Sequence, residues 1–176
     1  MTADPVIRQV RPDEWPEAKA LRLTALRDPL ARLAFGETYE GVRTQSEQFW
    51  KDRTAKGAEG GPHRQFIAEG PAGAWVGTVT VRVKDPGSAD ATGSRSEPRQ
   101  AHLVAVFVRP EHRGGDVARG LFRAAVDWAR AEAGVERVRL RVHRENGRAE
   151  AFYRKAGFVR VAVVGDEYEM EYRPTS

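Results

Sequence analysis

No cysteine occurs among the 176 residues. That absence removes a disulfide framework, a thiolate zinc site and a cysteine nucleophile together. No apolar run is long enough to cross a bilayer, and the opening Met1-Thr2-Ala3-Asp4-Pro5 has no basic segment followed by an apolar core. No membrane contact is therefore expected, and a cytoplasmic location is. Histidine is scarce, and His63, His102, His112 and His143 show no spacing of the H-E-x-x-H kind, so no metal is expected. No block of like charge stands out either. With a net charge of +4 spread over interspersed acids and bases, the chain is expected to attract anions mildly rather than to bind nucleic acid. Its length suits one domain spanning residues 1–176.

What is present alternates between strand and helix patterns. Val6 to Val10 reads as a strand, and Pro12-Asp13-Glu14 opens a helix in which Trp15, Ala18, Leu21, Ala25 and Leu26 recur at helical spacing. Asp28-Pro29 ends or kinks that helix, residues 30–44 read as irregular or partly helical, and Ser46 opens a helix containing Phe49 and Trp50. Residues 65–68 and 75–83 form a plausible antiparallel hairpin around Gly70-Pro71-Ala72-Gly73. The Gly/Ser/Asp/Pro-rich residues 84–99 are expected to form a long mobile loop. Then comes an apolar strand from His102, stopped by Pro110, and a helical stripe of Ala118, Leu121, Phe122, Ala125 and Ala129 that Gly134 stops. A strand over 138–143, a stripe of Ala149, Phe152, Tyr153 and Ala156, and two strands around Gly165-Asp166 close the chain. This order argues for a mixed α+β layer fold with helices covering a sheet.

The chemistry concentrates in Arg113-Gly114-Gly115-Asp116-Val117-Ala118, between an apolar strand and an amphipathic helix. Unpaired amides at a helix start, reinforced by the helix dipole, favour an anion. Gly114 and Gly115 let the backbone approach phosphates closely, and Arg113 adds a charge-assisted donor. The same pair of glycines also fits an ordinary tight turn. Neither the P-loop nor the G-x-G-x-x-G spacing is met.

These residues resemble the pyrophosphate loop of the GNAT superfamily of N-acetyltransferases: Arg or Gln, two residues, Gly, one residue, then Gly or Ala. The preceding Val106-Phe107-Val108-Arg109-Pro110-Glu111 is similar to the end of that family's central strand. Asn146 to Phe158, with Ala149, Tyr153 and Gly157, is similar to its Asn-x-x-Ala-x-x-x-Tyr followed by Gly-Phe. The strong resemblance covers roughly residues 101–160. It implies a mostly antiparallel sheet of about seven strands, a parallel pair at the cofactor-binding strands, and about four flanking helices. It also implies acetyl-CoA as acyl donor, with Val106, Phe107, Val108, Arg113, Gly114, Gly115, Asp116, Val117, Ala118, Asn146 and Tyr153 in contact with it.

In that resemblance the backbone of Val106 to Val108 holds the pantetheine arm, and Tyr153 protonates the departing thiolate from an ordinary phenol near ~10. Asn146 reads equally well as a cofactor contact and as a helix N-cap. His102, early on the central strand, is the candidate general base as a neutral imidazole. Asp116 departs from the pattern, which usually has glycine there. Two like charges ~5 Å apart at an effective dielectric of ~20 repel by about 3 kcal/mol, unless the carboxylate caps the helix and turns outward. Glu37, Glu40, Asp166, Glu167 and Glu169 are candidates for an acidic acceptor site, with solvated surface as the plainer reading. The expected reaction is transfer to a primary amine of a small molecule, less readily of a protein, with a homodimer reasonable. The alternative is a non-catalytic acyl-CoA-binding or regulatory domain of the same fold, with a nucleic-acid module third.

Overall fold

The computed structural model describes residues 4–86 and 98–174. Seven strands, β1 (Val6–Gln9), β2 (His63–Glu69), β3 (Trp75–Lys84), β4 (Gln100–Val108), β5 (Arg137–His143), β6 (Phe158–Val164) and β7 (Glu167–Tyr172), form one sheet in the order β1-β2-β3-β4-β5-β7-β6. Every neighbouring pair is antiparallel except β4 and β5. The expected hairpin is β2 and β3, and the expected loop at 84–99 lies largely outside the described residues.

Four helices are of ordinary length, α1 (Trp15–Leu26), α4 (Glu47–Lys56), α5 (Val117–Ala131) and α6 (Gly147–Lys155), and two single turns, α2 (Ala31–Ala34) and α3 (Tyr39–Val42), add to them. The expectation of about four helices thus becomes six. The two extra turns come from local side-chain bonds that periodicity does not reveal. Asp28 Oδ1 accepts from the Leu30 amide before α2, and Thr38 Oγ1 accepts from the Gly41 amide at the start of α3. Ser46 Oγ caps α4 by accepting from the Phe49 amide.

Helix α5 buries Val117, Leu121, Phe122, Ala125, Val126 and Ala129, all on one stripe, against Phe66, Ala68, Val79, Val81, Leu103 and Leu140 of the sheet. The opposite face of the sheet carries Ile67, Trp75 and Phe107 against Leu21 and Ala25 of α1. Each large side chain so enclosed contributes about 1.5–3 kcal/mol. The sheet is thereby clamped from both sides, leaving its middle as the place where a site can open. No helix among the described residues is long and apolar enough to cross a membrane.

Candidate active site

Strand β4 changes character halfway along. Residues 100–103 pair in parallel with 137–140 of β5, and the pairing stops at Leu103 opposite Leu140. Beyond that point, among the described residues, β4 pairs with β3 alone, with a register shift in which Thr78 faces Phe107 and Thr80 faces Val104. One residue of β3, Val79, therefore faces two of β4, Ala105 and Val106, a bulge at which Ala105 adopts φ 55°. A left-handed angle in alanine costs about 1–2 kcal/mol. The extra residue reverses the side-chain alternation: Ala101 and Leu103 face α5, as do Val106 and Val108, while Phe107 turns to the α1 side. On its β5 side, the backbone of Val104 to Val108 is left without a strand partner.

Two cavities occupy this opening. One of about 320 Å³ is lined by Val106, Phe107, Val108, Arg113, Gly114, Gly115 and Ala118 together with Asn146, Phe152 and Tyr153. The other, of about 600 Å³, is lined by His102, Val104, Ala105, Val106, Asn146 and Tyr153. Val106, Asn146 and Tyr153 stand where the two meet. Of the residues expected from the sequence, the structure brings His102, Val106, Phe107, Val108, Arg113, Gly114, Gly115, Ala118, Asn146 and Tyr153 around this one opening. Val117 is instead buried beneath it, and Asp116 points away.

The loop before α5 supplies donors. Gly114 has φ 81°, which turns the chain toward the helix. Among the described residues, the amides of Gly114, Gly115 and Asp116 donate to no backbone carbonyl. The first-turn amides of α5 likewise have no intrahelical acceptor. Arg113 Nε donates to the Val108 carbonyl at 2.9 Å and its Nη2 to Asp28 Oδ2 at 2.8 Å, so it ties the loop to the end of β4 while still lining the smaller cavity. Burial pushes the Asp28 carboxyl up, but the Leu30 amide and Arg113 outweigh it and hold the group below its ordinary value. Asp116 occupies the N-cap position of α5 without a capping hydrogen bond. Its carboxylate, 68% exposed, pairs with Arg119 at 2.9 Å. The outward turn expected of Asp116 is found, and the cap is not.

Asn146 does cap α6, its Oδ1 accepting from the Ala149 amide at 3.3 Å, and its side chain lines both cavities as well. Tyr153 lies on the inner face of α6, stacked on Phe122 with ring centroids 5.4 Å apart and 17° between planes. Its hydroxyl makes no hydrogen bond to any described residue. Burial pushes its phenol up to about 12, a correction to the ordinary value expected from sequence. His102 Nε2 lies 3.6 Å from Glu169 Oε1, beyond direct hydrogen-bond length. Burial lowers the imidazole; Glu169 opposes that, and Arg141 and Lys84 reinforce it.

The acidic acceptor site does not assemble. Glu37 is held by Arg22 at 2.7 Å and by Arg53 at 2.8 Å. Although its burial works the other way, those two guanidiniums bring its carboxyl down to about 2. Glu40 pairs with Arg43, Asp166 with Arg144, and Glu169 with Arg139. Glu167 alone of the five lines the larger cavity. Except for Arg43, three residues after Glu40, each partner is distant in sequence or on another element, so most of the neutralisation leaves no local signal. No group of three or more potential ligands is arranged for a metal ion among the described residues.

Known proteins place this geometry. The model of the acetyltransferase (GNAT) family matches residues 27–158. Among curated proteins none matches the sequence. A GNAT-family acetyltransferase from Streptococcus pneumoniae is similar in structure at a TM-score of 0.72 and 18% identity, over 96% of this chain and 98% of that one. PaiA N-acetyltransferase from Thermoplasma acidophilum, solved with coenzyme A, gives a TM-score of 0.75 at 17% identity, covering 97% and 99%. A spermidine/spermine N-acetyltransferase from Vibrio cholerae gives 0.62 at 19%, covering 96% and 91%. At such identities the structures establish the shared fold, while the family match spans most of the chain, which belongs to the GNAT family of acetyltransferases and uses acetyl-CoA as its acyl donor.

Proposed function

We propose that the protein is a single-domain N-acetyltransferase that moves acetyl directly from acetyl-CoA to a primary amine of a small molecule within a ternary complex. One observation carries this reading: the two cavities at the β4/β5 opening meet at Val106, Asn146 and Tyr153. The smaller cavity lies beside the amide-rich loop and suits the pyrophosphate and pantetheine; the larger suits the acceptor. Loop amides of Gly114 to Ala118 take the pyrophosphate, and the free edge of Val106 to Val108 pairs with the arm as a further strand would. Asn146 caps α6 through Oδ1 and keeps its Nδ2 donors for the donor's arm. Similarity to an N-acetyltransferase solved with coenzyme A and to spermidine N-acetyltransferases supports an amine as acceptor.

The amine nitrogen attacks the thioester carbonyl carbon, the C–S bond breaks, and two protons must be placed. His102, neutral because burial lowers it, takes the proton from the amine. Tyr153 donates toward the thiolate. Where the cavities meet, the only side chain of nucleophile type among the described residues is this protonated phenol, so transfer through an acyl-enzyme is not part of the reading. A homodimer formed along β6 belongs to it too: β6 is an edge strand, and Val163 on it is 71% exposed. So does a cytoplasmic location, which a chain without disulfides suits.

The pH profile tests the proton acceptor. In the wild type, kcat/KM should fall with decreasing pH first with the amine's own protonation, then more steeply below a break under pH 6.5 where His102 protonates. In His102→Ala the lower break should vanish and kcat/KM should drop by about 10². An unchanged profile and rate in the variant would remove His102 from the mechanism.

A further inference from the structure

The larger cavity adjoins a third, of about 510 Å³, and His63, Arg82, Val104 and Ala105 line both. His63 stands opposite Arg82 in the β2/β3 register, and Arg82 opposite His102 in the β3/β4 register. Directly paired residues project from the same face of a sheet, so these three basic side chains form a row across three strands. Lys84 and Arg141 line the larger cavity, and Lys56 the third.

None of Arg82, Lys84, Arg141 and Lys56 has a carboxylate within ion-pair distance among the described residues. The acids nearby are mostly engaged: Glu37 lies between Arg22 and Arg53, and Asp52 accepts from Gln48 at 2.8 Å. His63 Nδ1 is buried without a hydrogen-bond partner. Burial, Arg82 and Lys56 all lower the His63 imidazole. With both imidazoles lowered, Arg82 is the charged member of the row, and with Lys84, Arg141 and Lys56 around it the two cavities present a cationic lining that attracts an anion. The polyamine acceptors named for the spermidine N-acetyltransferases are polycations, and these lysines and arginines repel them.

Resting on the acetyltransferase reading, we infer that the acceptor is an amine that also carries a carboxylate or phosphate, held by Arg82 and Arg141 while its amine faces the opening between β4 and β5. Glu167, the free carboxylate of that cavity, meets the incoming ammonium. The surrounding cations lower the amine's pKa and favour the neutral form that attacks.

Matched pairs test the class. Thiol release from acetyl-CoA is measured with each protein amino acid against its carboxamide, with O-phosphoethanolamine against ethanolamine, and with spermidine. The anionic member of at least one pair should exceed its uncharged partner in kcat/KM by tenfold or more, and the two kinds of pair report which anion is preferred. Arg82→Ala/Arg141→Ala should shrink that ratio to about twofold through KM. Arg82→Glu/Arg141→Glu should shift preference toward spermidine. A wild type preferring spermidine or the uncharged members, or a preference that survives the double substitution, overturns the inference but leaves acetyl transfer standing. Calorimetric binding of the same compounds to the CoA-saturated protein reads the class without turnover: tighter binding of the anionic members supports it, and equal or absent binding overturns it. Thiol release with no amine, despite such binding, instead counts against the acetyltransferase reading.

Discussion

Tyr153→Phe is expected to lower kcat by about 10² while leaving acetyl-CoA affinity and the melting temperature nearly unchanged. The hydroxyl makes no hydrogen bond within the described protein, so its removal breaks no fold contact, and the ring stays stacked on Phe122. What is lost is one donor aimed at charge that develops only as the C–S bond breaks. With the phenol near 12 and a thiol near ~8.5, full proton transfer to a solvated thiolate is uphill by about 5 kcal/mol. The same burial raises the thiolate, however, and narrows that gap. In the proposed reaction Tyr153 would therefore act chiefly by donating a hydrogen bond as charge appears, completing the transfer late. Its protonation also adds no break to the rate profile below about pH 11. Steady-state rates beside acetyl-CoA titrations check this, and a variant retaining more than about a third of wild-type kcat would release Tyr153 from the role.

Phe122→Ala is expected to have the largest effect on stability. Phe122 is 3% exposed and meets three rings: Tyr153, Phe152 at 5.2 Å and Phe158 at 6.0 Å. Truncating such a side chain costs about 3–5 kcal/mol, or roughly 6–20 °C in melting temperature for a chain of this size. The consequence reaches the site because the lost ring is the floor under Tyr153. kcat should fall even at temperatures where the variant is fully folded, whereas acetyl-CoA binding at the loop should change less. Thermal melts with rates at 15 °C decide it. A loss under about 2 °C, or an unchanged kcat in folded protein, would mean that α5 does not position the tyrosine.

Much of the fold was legible because its signals are local. The α5 stripe of Leu121, Phe122, Ala125 and Ala129, the cap at Asn146, and the glycine turns at Gly157 and Gly165, with φ of 102° and 60°, each follow from a few adjacent residues. The seven strands followed from alternation and breakers, and the parallel pair from the family resemblance. The opening between β4 and β5 was less legible, because it depends on a bulge at Ala105, a residue type that does not announce a left-handed angle. The tie from Arg113 to the end of α1 was illegible for a related reason: its partner Asp28 is 85 residues away in sequence, and only the folded chain reveals the pairing. Four of the five acids counted along the sequence, Glu37, Glu40, Asp166 and Glu169, lie beside arginines in the fold, and the row of His63, Arg82 and His102 exists only through strand register.

The central claim is that the loop from Arg113 to Ala118 and the free edge of β4 hold acetyl-CoA. Calorimetric titration of acetyl-CoA into the wild type and Gly115→Glu tests it most directly. A side chain at Gly115 meets only the His112 carbonyl at 3.8 Å, an ordinary contact, so the substitution leaves the fold intact while setting a carboxylate beside the pyrophosphate. The account requires saturable one-to-one binding by the wild type, weakened at least tenfold in a variant with an unchanged melting temperature. No saturable binding by the wild type, or equal affinity in both proteins, would contradict it.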